Sequence, residues 1–295
     1  MTQEAQVNSG AQIERYLART LGWIAGQGGP PRLAEAMHHA VFPGGARFRP
    51  RLCLAVAGAC GARQAPAAIA AAVAIELLHC ASLVHDDLPC FDDADLRRGV
   101  PSVHRAFGER LAVLTGDALI VLAFRAVAQE RAANAAQRLE LINLLAASSG
   151  MPNGIAAGQA WECEPRVGLS DYQRAKTGAL FAAATAAGAI AAGSDPQPWI
   201  EVGECLGEAY QVADDIGDAT GSSEQLGKPI RRDETLGRPN VVGLLGLDAA
   251  QDRFQQLTAE ATRCLPACPG AAELRATILN VAQQLLAGRQ VRSAA

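Results

Sequence analysis

Apolar residues dominate positions 67–84, and the few polar residues there recur at steps of three or four. These are Glu76, His79 and Ser82, and Asp86 continues the series. Side chains three and four positions apart share one face of an α-helix. The pattern therefore predicts a buried helix with one polar stripe that ends at Asp86.

Pro89 is expected to end or kink this helix, because proline lacks an N–H group and its ring clashes with the carbonyl of residue 85. The break would let Asp92 turn back toward Asp86, whereas an unbroken helix would point the two side chains well apart. The stretch from His79 to Gly99 contains five aspartates and then two arginines, namely Asp86, Asp87, Asp92, Asp93, Asp95, Arg97 and Arg98.

A second apolar segment, which begins near Trp199, repeats this design. Asp214, Asp215 and Asp218 follow Gln211 at spacings of three, four and seven, which again predicts a single helix face. One acidic cluster could be a solvated helix end followed by a turn. Two core-like helices that each end in Asp-Asp, with a further aspartate shortly after, are hard to explain in that way.

The rest of the chain predicts further helices and no linker long enough to separate a second domain. We expect a loose tail over residues 1–10 and one domain over residues 11–295. Predicted helices are Gln12–Ala25, Leu33–Ala40, Leu52–Cys60, a long buried helix around Asp117, residues 135–149, a helix that begins near Ser170 or Asp171, and two helices between Asp248 and Arg292.

Composition supports an all-α protein. Only 4% of the residues are aromatic, alanine is abundant, and alternating runs of β-branched residues are scarce. A net charge of -4 argues against nucleic-acid binding, because no basic stripe is available for phosphates. The first residues do not resemble a signal peptide, and no segment is long enough to span a membrane without a charged residue. We therefore expect a cytoplasmic protein without a membrane segment, in which eight scattered cysteines are free thiols.

Carboxylates crowded on two facing helices favour a divalent cation, and Mg²⁺ in particular, because it prefers oxygen ligands and keeps positions for phosphate oxygens. Basic residues near a glycine-rich helix start, Arg47 and Arg49, could bind an anion or could belong to a surface loop. Lys176 could have an anionic partner or reach solvent. A basic segment at residues 226–240 could form a lid. An apolar helix below metal-bound phosphates suits an isoprenoid diphosphate.

Five motifs together resemble the trans-isoprenyl diphosphate synthases over most of the chain, with greatest similarity to bacterial geranylgeranyl diphosphate synthases of carotenoid and chlorophyll pathways. The motifs are DDLPCFDDADLRRG, QVADDIGD, GGARFRP, KTGALF and GQAWE. The resemblance implies a helical bundle of the isoprenoid synthase type with a central substrate cavity, and a homodimer. It also implies head-to-tail condensation of isopentenyl diphosphate with an allylic diphosphate, assisted by three Mg²⁺ ions.

The resemblance also assigns roles to individual residues. It makes Asp86, Asp92 and Asp214 direct Mg²⁺ ligands, supported by Asp87, Asp215 and Asp218. The positions that match the allylic substrate site are Arg97, Lys176, Thr177, Gln211 and Lys228, and dipoles near Lys176, Thr177 and Gln211 would stabilise an allylic cation. The positions that match the isopentenyl diphosphate site are Arg49, His79 and Arg98.

Three positions depart from the family pattern. Ala46 replaces the usual lysine, so we expect Arg47 to compensate for the lost cation, and Glu162 and Arg238 replace aspartate and lysine. Product length is expected to depend on Ala81 and Ser82, which lie about one turn before Asp86. Because both are small, we predict a twenty-carbon product, with a fifteen-carbon product as the alternative.

Two other functions fit part of the sequence. A terpene cyclase is also all-α and has an aspartate-rich metal site, but its second metal site typically differs from an Asp-Asp-x-x-Asp repeat. A non-catalytic subunit that modulates another synthase need not keep its metal ligands, whereas both clusters are intact here.

Overall fold

The computed structural model is a helical bundle with a single short hairpin among the residues it describes. Lys228, Arg238 and most of the predicted lid lie between residues 220 and 240, outside the described residues. The structure describes residues 3–42, 44–62, 65–165, 168–220 and 240–290.

The structure describes fourteen α-helices within these ranges. The first seven are α1 (Gln3–Ala25), α2 (Pro31–Val41), α3 (Phe48–Ala59), α4 (Pro66–Asp86), α5 (Val103–Phe107), α6 (Glu109–Ala128) and α7 (Ala135–Ser149). The others are α8 (Ile155–Ala160), α9 (Leu169–Gln173), α10 (Ala179–Ala191), α11 (Gln197–Thr220), α12 (Val241–Leu245), α13 (Leu247–Arg263) and α14 (Ala271–Gln290). Between α4 and α5, strands β1 (Leu96–Arg97) and β2 (Val100–Pro101) pair antiparallel, with Leu96 opposite Pro101.

Helices α4 and α10 form the centre of the bundle, and nearly all of their residues are buried. Their alanines and glycines allow close helix packing. A Cβ atom at Gly188 would lie 2.5 Å from the carbonyl oxygen of Cys53 in α3, and one at Gly203 in α11 would lie 2.4 Å from Cα of Ala182. Small residues at these crossings therefore hold α3, α10 and α11 together.

Several element boundaries differ from the sequence predictions. Helix α1 begins at Gln3 and so includes residues that we expected to form a loose tail. Helix α6 is not buried along its whole length, which corrects the prediction for this segment. Val113, Leu114 and Val121 are 43%, 51% and 66% exposed, because these positions lie away from the neighbouring helices α2, α4, α5 and α7.

By length and composition alone, α4 and α6 could each cross a membrane. Each is interrupted by an acidic residue, Glu76 in α4 and Asp117 in α6. The apolar window of α4 is 78% buried within the bundle, as expected for the core helix of a folded domain, and that of α6 is 39% buried.

Candidate active site

The first aspartate cluster forms where α4 ends. The helix stops at Asp86, and the chain then turns so that the backbone N–H of Asp92 donates to the carbonyl oxygen of Asp86 at 2.9 Å. The turn contains Pro89, as predicted. The two carboxylates are close enough for Asp92 to raise the pKa of Asp86.

Asp86 is 7% exposed and has polar partners on two other segments. Gln159 Nε2, in α8, donates to Asp86 Oδ1 at 3.0 Å, and Lys176 Nζ lies 3.9 Å from Oδ2. Burial raises the pKa of Asp86, while Lys176 and the Gln159 hydrogen bond act against this rise. The sequence pairs Gln159 with Glu162 on one face, but it gives no sign that Gln159 reaches Asp86.

The neighbouring aspartates have different partners. Arg97, on β1, donates from Nε to Asp87 Oδ1 at 3.0 Å and also from Nη2. Burial raises the pKa of the Asp87 carboxyl, and this hydrogen bond opposes the rise. Asp93 and Asp95 are exposed and bind Arg105 on α5, at 3.1 and 2.7 Å. The five aspartates therefore divide into an inner group and an outer pair.

The second cluster lies on α11, as the spacing of its residues predicts. Gln211 Nε2 donates to Asp215 Oδ1 at 2.9 Å, and the backbone N–H of Val241 donates to Asp215 Oδ2 at 2.7 Å. Asp215 is 4% exposed, whereas Asp214 and Asp218 are partly exposed. Asp215 therefore connects α11 to the start of α12, and Asp214 is more accessible.

A widened helical turn at Arg174–Gly178 lies between the two clusters. It has π-helical hydrogen bonding, which sequence spacing did not predict and which is frequent at functional sites. Lys176 lies beside Asp86 of the first cluster, and Thr177 Oγ1 donates to Gln211 Oε1 at 2.8 Å beside the second. Two adjacent residues thus link both aspartate clusters.

The Lys176 side chain is tied to protein groups. It forms a hydrogen-bonded ion pair with Glu162, and Tyr172 OH donates to the same Glu162 oxygen at 2.7 Å. Lys176 therefore has an anionic partner, which was one of the two possibilities that the sequence left open. Its side chain is 22% exposed. Sequence analysis missed Tyr172, although its spacing of four residues from Lys176 is a helical one.

The predicted isopentenyl diphosphate residues come from three segments. Arg49 is 8% exposed, its guanidinium carbon lies 4.6 Å from the ring centre of Phe181, and its Nε has no hydrogen-bond partner among the described residues. Burial lowers the pKa of Arg49. His79 has its pKa lowered by burial and by Arg49 and Arg98, so it is neutral at pH 7. Arg98 donates to the carbonyl oxygen of Gly44. Arg49 and Arg98, together with the neutral His79, therefore form a basic group.

Arg47 does not join that group, which corrects the expectation that it compensates for Ala46. It is 4% exposed, and its Nη1 donates to Glu76 Oε1 at 2.5 Å. Its Nε donates to Glu14 Oε1 at 2.7 Å. The side chain points into the core because both of its carboxylate partners lie there, on α4 and α1.

The predicted chain-length residues lie before Asp86, but Ala81 is only 1% exposed and packs in the core. Ser82 Oγ donates to the carbonyl oxygen of His79 at 2.8 Å. A cavity of about 570 Å³ lies elsewhere, beside Phe48, Phe181 and Tyr210. Ala81 does not border that cavity, so the predicted dependence of product length on Ala81 and Ser82 rests on sequence.

The donor set suits Mg²⁺. The side chains of both clusters offer carboxylate oxygens, and Asp86 and Asp92 lie near enough for mutual repulsion that a cation would relieve. Within the described ranges, no three acidic, histidine or cysteine side chains are already gathered as a complete metal site. Mg²⁺ commonly takes one or two carboxylates and completes its shell with water and substrate phosphates. The residues present therefore fit this ion together with a diphosphate.

Comparison with known sequences points to one family. Residues 30–269 match the polyprenyl synthetase family model. A geranylgeranyl diphosphate synthase from Cereibacter sphaeroides is 50% identical over 275 residues, which cover 93% of this chain and 96% of the relative. One from Rhodobacter capsulatus is 48% identical, over 93% of this chain and 95% of its own.

Comparison with solved structures gives the same result as comparison with known sequences. An FPP/GFPP synthase from Zymomonas mobilis superposes with a TM-score of 0.81 at 33% identity and covers 95% of this chain and 98% of its own. A geranyltransferase from Helicobacter pylori, complexed with magnesium and isoprenyl diphosphate, has a TM-score of 0.78 at 31% identity. It covers 94% of this chain and 98% of its own.

Proposed function

This chain belongs to the polyprenyl synthetase family, and from that premise we propose that it condenses isopentenyl diphosphate head to tail with allylic diphosphates to form geranylgeranyl diphosphate. The observation that carries this proposal is the pair of aspartate clusters joined through Lys176 and Thr177. The accepted primers are dimethylallyl, geranyl and farnesyl diphosphate. Farnesyl diphosphate is the alternative product.

Mg²⁺, when bound with the substrate, neutralises charge on the departing diphosphate. Three ions are proposed, held by Asp86, Asp92 and Asp214. Arg97 fixes Asp87 beside the first cluster, and the Gln211 and Val241 contacts fix Asp215 beside the second. This arrangement supports a site whose carboxylates are positioned before the substrate binds.

Protein side chains supply the other functions of the site. Lys176, close to Asp86, is suited to the allylic diphosphate as a cation, and Arg97 is suited to it in the same way. The hydroxyl of Thr177 and the amide of Gln211 present dipoles that would stabilise the allylic cation formed when the diphosphate leaves. Lys228 is proposed for the same substrate from sequence alone.

Isopentenyl diphosphate is proposed to bind at Arg49, His79 and Arg98. The Nε of buried Arg49 supports this, because it has no hydrogen-bond partner in the described part of the chain and so can donate to an anionic ligand. The double bond of isopentenyl diphosphate then attacks the allylic cation, and the released diphosphate accepts the proton. No separate protein base is needed.

We also propose that the enzyme is a cytoplasmic homodimer. All eight cysteines are free, and free thiols are typical of a reducing compartment. The exposed apolar residues of α6 support association with a second copy.

Direct assay of the purified chain tests the proposed function. Radiolabelled isopentenyl diphosphate and farnesyl diphosphate should yield a labelled twenty-carbon diphosphate, and a Mg²⁺ chelator should abolish this product. A cyclised product, or one formed without isopentenyl diphosphate, would favour a terpene cyclase. Lack of product until a second synthase is added would favour a modulating subunit.

A further inference from the structure

Arg47 occupies an unusual place at the start of α3. Its backbone has φ of 49°, in the left-handed region that non-glycine residues seldom adopt, and its side chain is 2% exposed. All three guanidinium nitrogens donate hydrogen bonds: Nε to Glu14, Nη1 to Glu76, and Nη2 to the carbonyl oxygen of Val41 at 2.8 Å. Each guanidinium nitrogen is therefore already bound to a protein group.

Glu76 is the inner partner of Arg47 and lies below the basic group. It is 2% exposed and precedes His79 by three residues on α4, so the two share a helix face. Its charge also acts on Arg49, whose pKa it raises against the effect of burial. Glu76 can therefore attract either arginine.

The two arginines differ in how they are bound. Both Glu14 and Glu76 hold Arg47, whereas Arg49 lies over the rings of Phe181 and Tyr210, and no described residue forms a hydrogen bond with its Nε. A buried carboxylate that loses its partner is costly and draws any nearby cation. Occupation of Glu76 by Arg47 thus leaves the Arg49 guanidinium available.

We propose that Arg47 is a positioning residue for isopentenyl diphosphate: it neutralises Glu76 and so keeps Arg49 free to bind the diphosphate. This inference rests on the proposed function and assigns a role that sequence motifs do not reveal. The role of Arg47 is more important because Ala46 replaces the family's usual lysine at this site. Binding of isopentenyl diphosphate therefore depends on the remaining cations. Arg47 acts through Arg49 and does not touch substrate.

The test compares R47M, E76Q and the double variant R47M/E76Q. R47M leaves Glu76 without its partner, so the KM and Kd for isopentenyl diphosphate should rise by at least about tenfold, while the KM for farnesyl diphosphate changes less than about twofold. E76Q removes the competing charge, so its Kd should stay within about twofold of wild type. The double variant should recover most of the lost affinity.

The Arg138 guanidinium provides a matched control, because among the described residues it binds main-chain carbonyls, those of Glu130 and Ala133, at 2.9 and 2.7 Å. R138M should lower Tm without moving either KM. R47K, which keeps the charge, should bind isopentenyl diphosphate better than R47M does.

If Arg47 and Glu76 only stabilised the fold, the result would be different. E76Q would then weaken isopentenyl diphosphate binding as much as R47M does, and the double variant would show no recovery. Either result overturns the inference. If R47M does not fold, E76Q and R47M/E76Q decide the question, because a rise in Kd in both contradicts it.

Calorimetric titration of isopentenyl diphosphate into each variant needs no turnover. The role of Arg47 in binding can therefore be tested separately from catalysis. A wild-type chain that binds isopentenyl diphosphate but forms no product would overturn the proposed function alone. A wild-type chain that forms product while R47M binds isopentenyl diphosphate normally would overturn the role of Arg47 alone.

Discussion

Asp92 and Asp93 are adjacent carboxylates with different surroundings. Asp92 donates its N–H to Asp86 and interacts electrostatically with it, whereas Asp93 has φ of 45° and binds Arg105 on the outside of the turn. The family resemblance gives a metal role to Asp92 and not to Asp93, but spacing does not explain the difference, because both belong to one run of aspartates. The turn after α4 makes the distinction.

This difference gives a test of the metal site. Asp92→Asn should reduce kcat by about 10²–10³, since it removes a carboxylate proposed to hold the Mg²⁺ that neutralises the departing diphosphate. Asp93→Asn is the matched control: it removes the neighbouring charge, and its ion pair with Arg105 is exposed, so activity should stay within about threefold. Condensation rates at varied Mg²⁺ concentration measure both. Equal losses in the two variants would contradict the assignment of Asp92.

Product length gives a second test at single residues. Ala81→Tyr puts a large ring one turn below Asp86, so the product should shorten from twenty to fifteen carbons. Ala81 is 1% exposed, so overpacking should also cost about 1–3 kcal/mol of stability. Chromatography of labelled products and a Tm measurement follow the two effects. A folded variant that still makes only the longer product would contradict the proposed effect of residue 81 on product length.

At the scale of elements, the close approach of α10 and α11 sets the distance between the two halves of the site. Thr177 precedes α10, and Gln211 lies on α11, so their 2.8 Å hydrogen bond requires tight packing of these segments. Gly207 supplies part of it, because a Cβ atom there would lie 2.7 Å from Cα of Gly178. Gly203, one turn earlier on α11, allows a similarly close approach to Ala182 of α10.

Gly203→Ala should therefore destabilise the fold by about 1–3 kcal/mol, because its Cβ would lie 2.4 Å from Cα of Ala182 and 2.6 Å from the Phe181 oxygen. Gly22→Ala in α1 is the control, since nothing lies within 4 Å of its Cβ, and it should stabilise by about 0.5–1 kcal/mol. Urea unfolding gives both free energies. A neutral Gly203→Ala would show that the helices can separate at no cost.

For the whole molecule, the exposed side of α6 is the clearest sign of a partner. Leu114 and Val121 are separated by two helical turns and so share a face, and Leu139 on α7 is 60% exposed. Solvated faces seldom carry so many large apolar residues together. A second copy of this chain would bury them through a two-fold contact.

Val121→Glu should therefore convert a dimer into a folded monomer, because a charge would be buried in the contact. Leu279→Glu changes an exposed apolar residue of α14 and should leave the dimer intact. Sedimentation equilibrium gives the mass, and circular dichroism checks the fold. The proposal fails if the wild-type chain is monomeric at micromolar concentration, or if both variants remain dimers.

The sequence by itself determined the helical class, the polar stripes of α4 and α11, and the turn at Pro89. These follow from spacing and from the chemistry of single residues, which act locally. Tertiary structure alone decided which charges meet. Arg47 turned inward to Glu14 and Glu76, and Gln159 reached Asp86, because helices far apart in sequence pack together there. Spacing along one helix carries no information about the helix opposite, so such pairings require the folded chain.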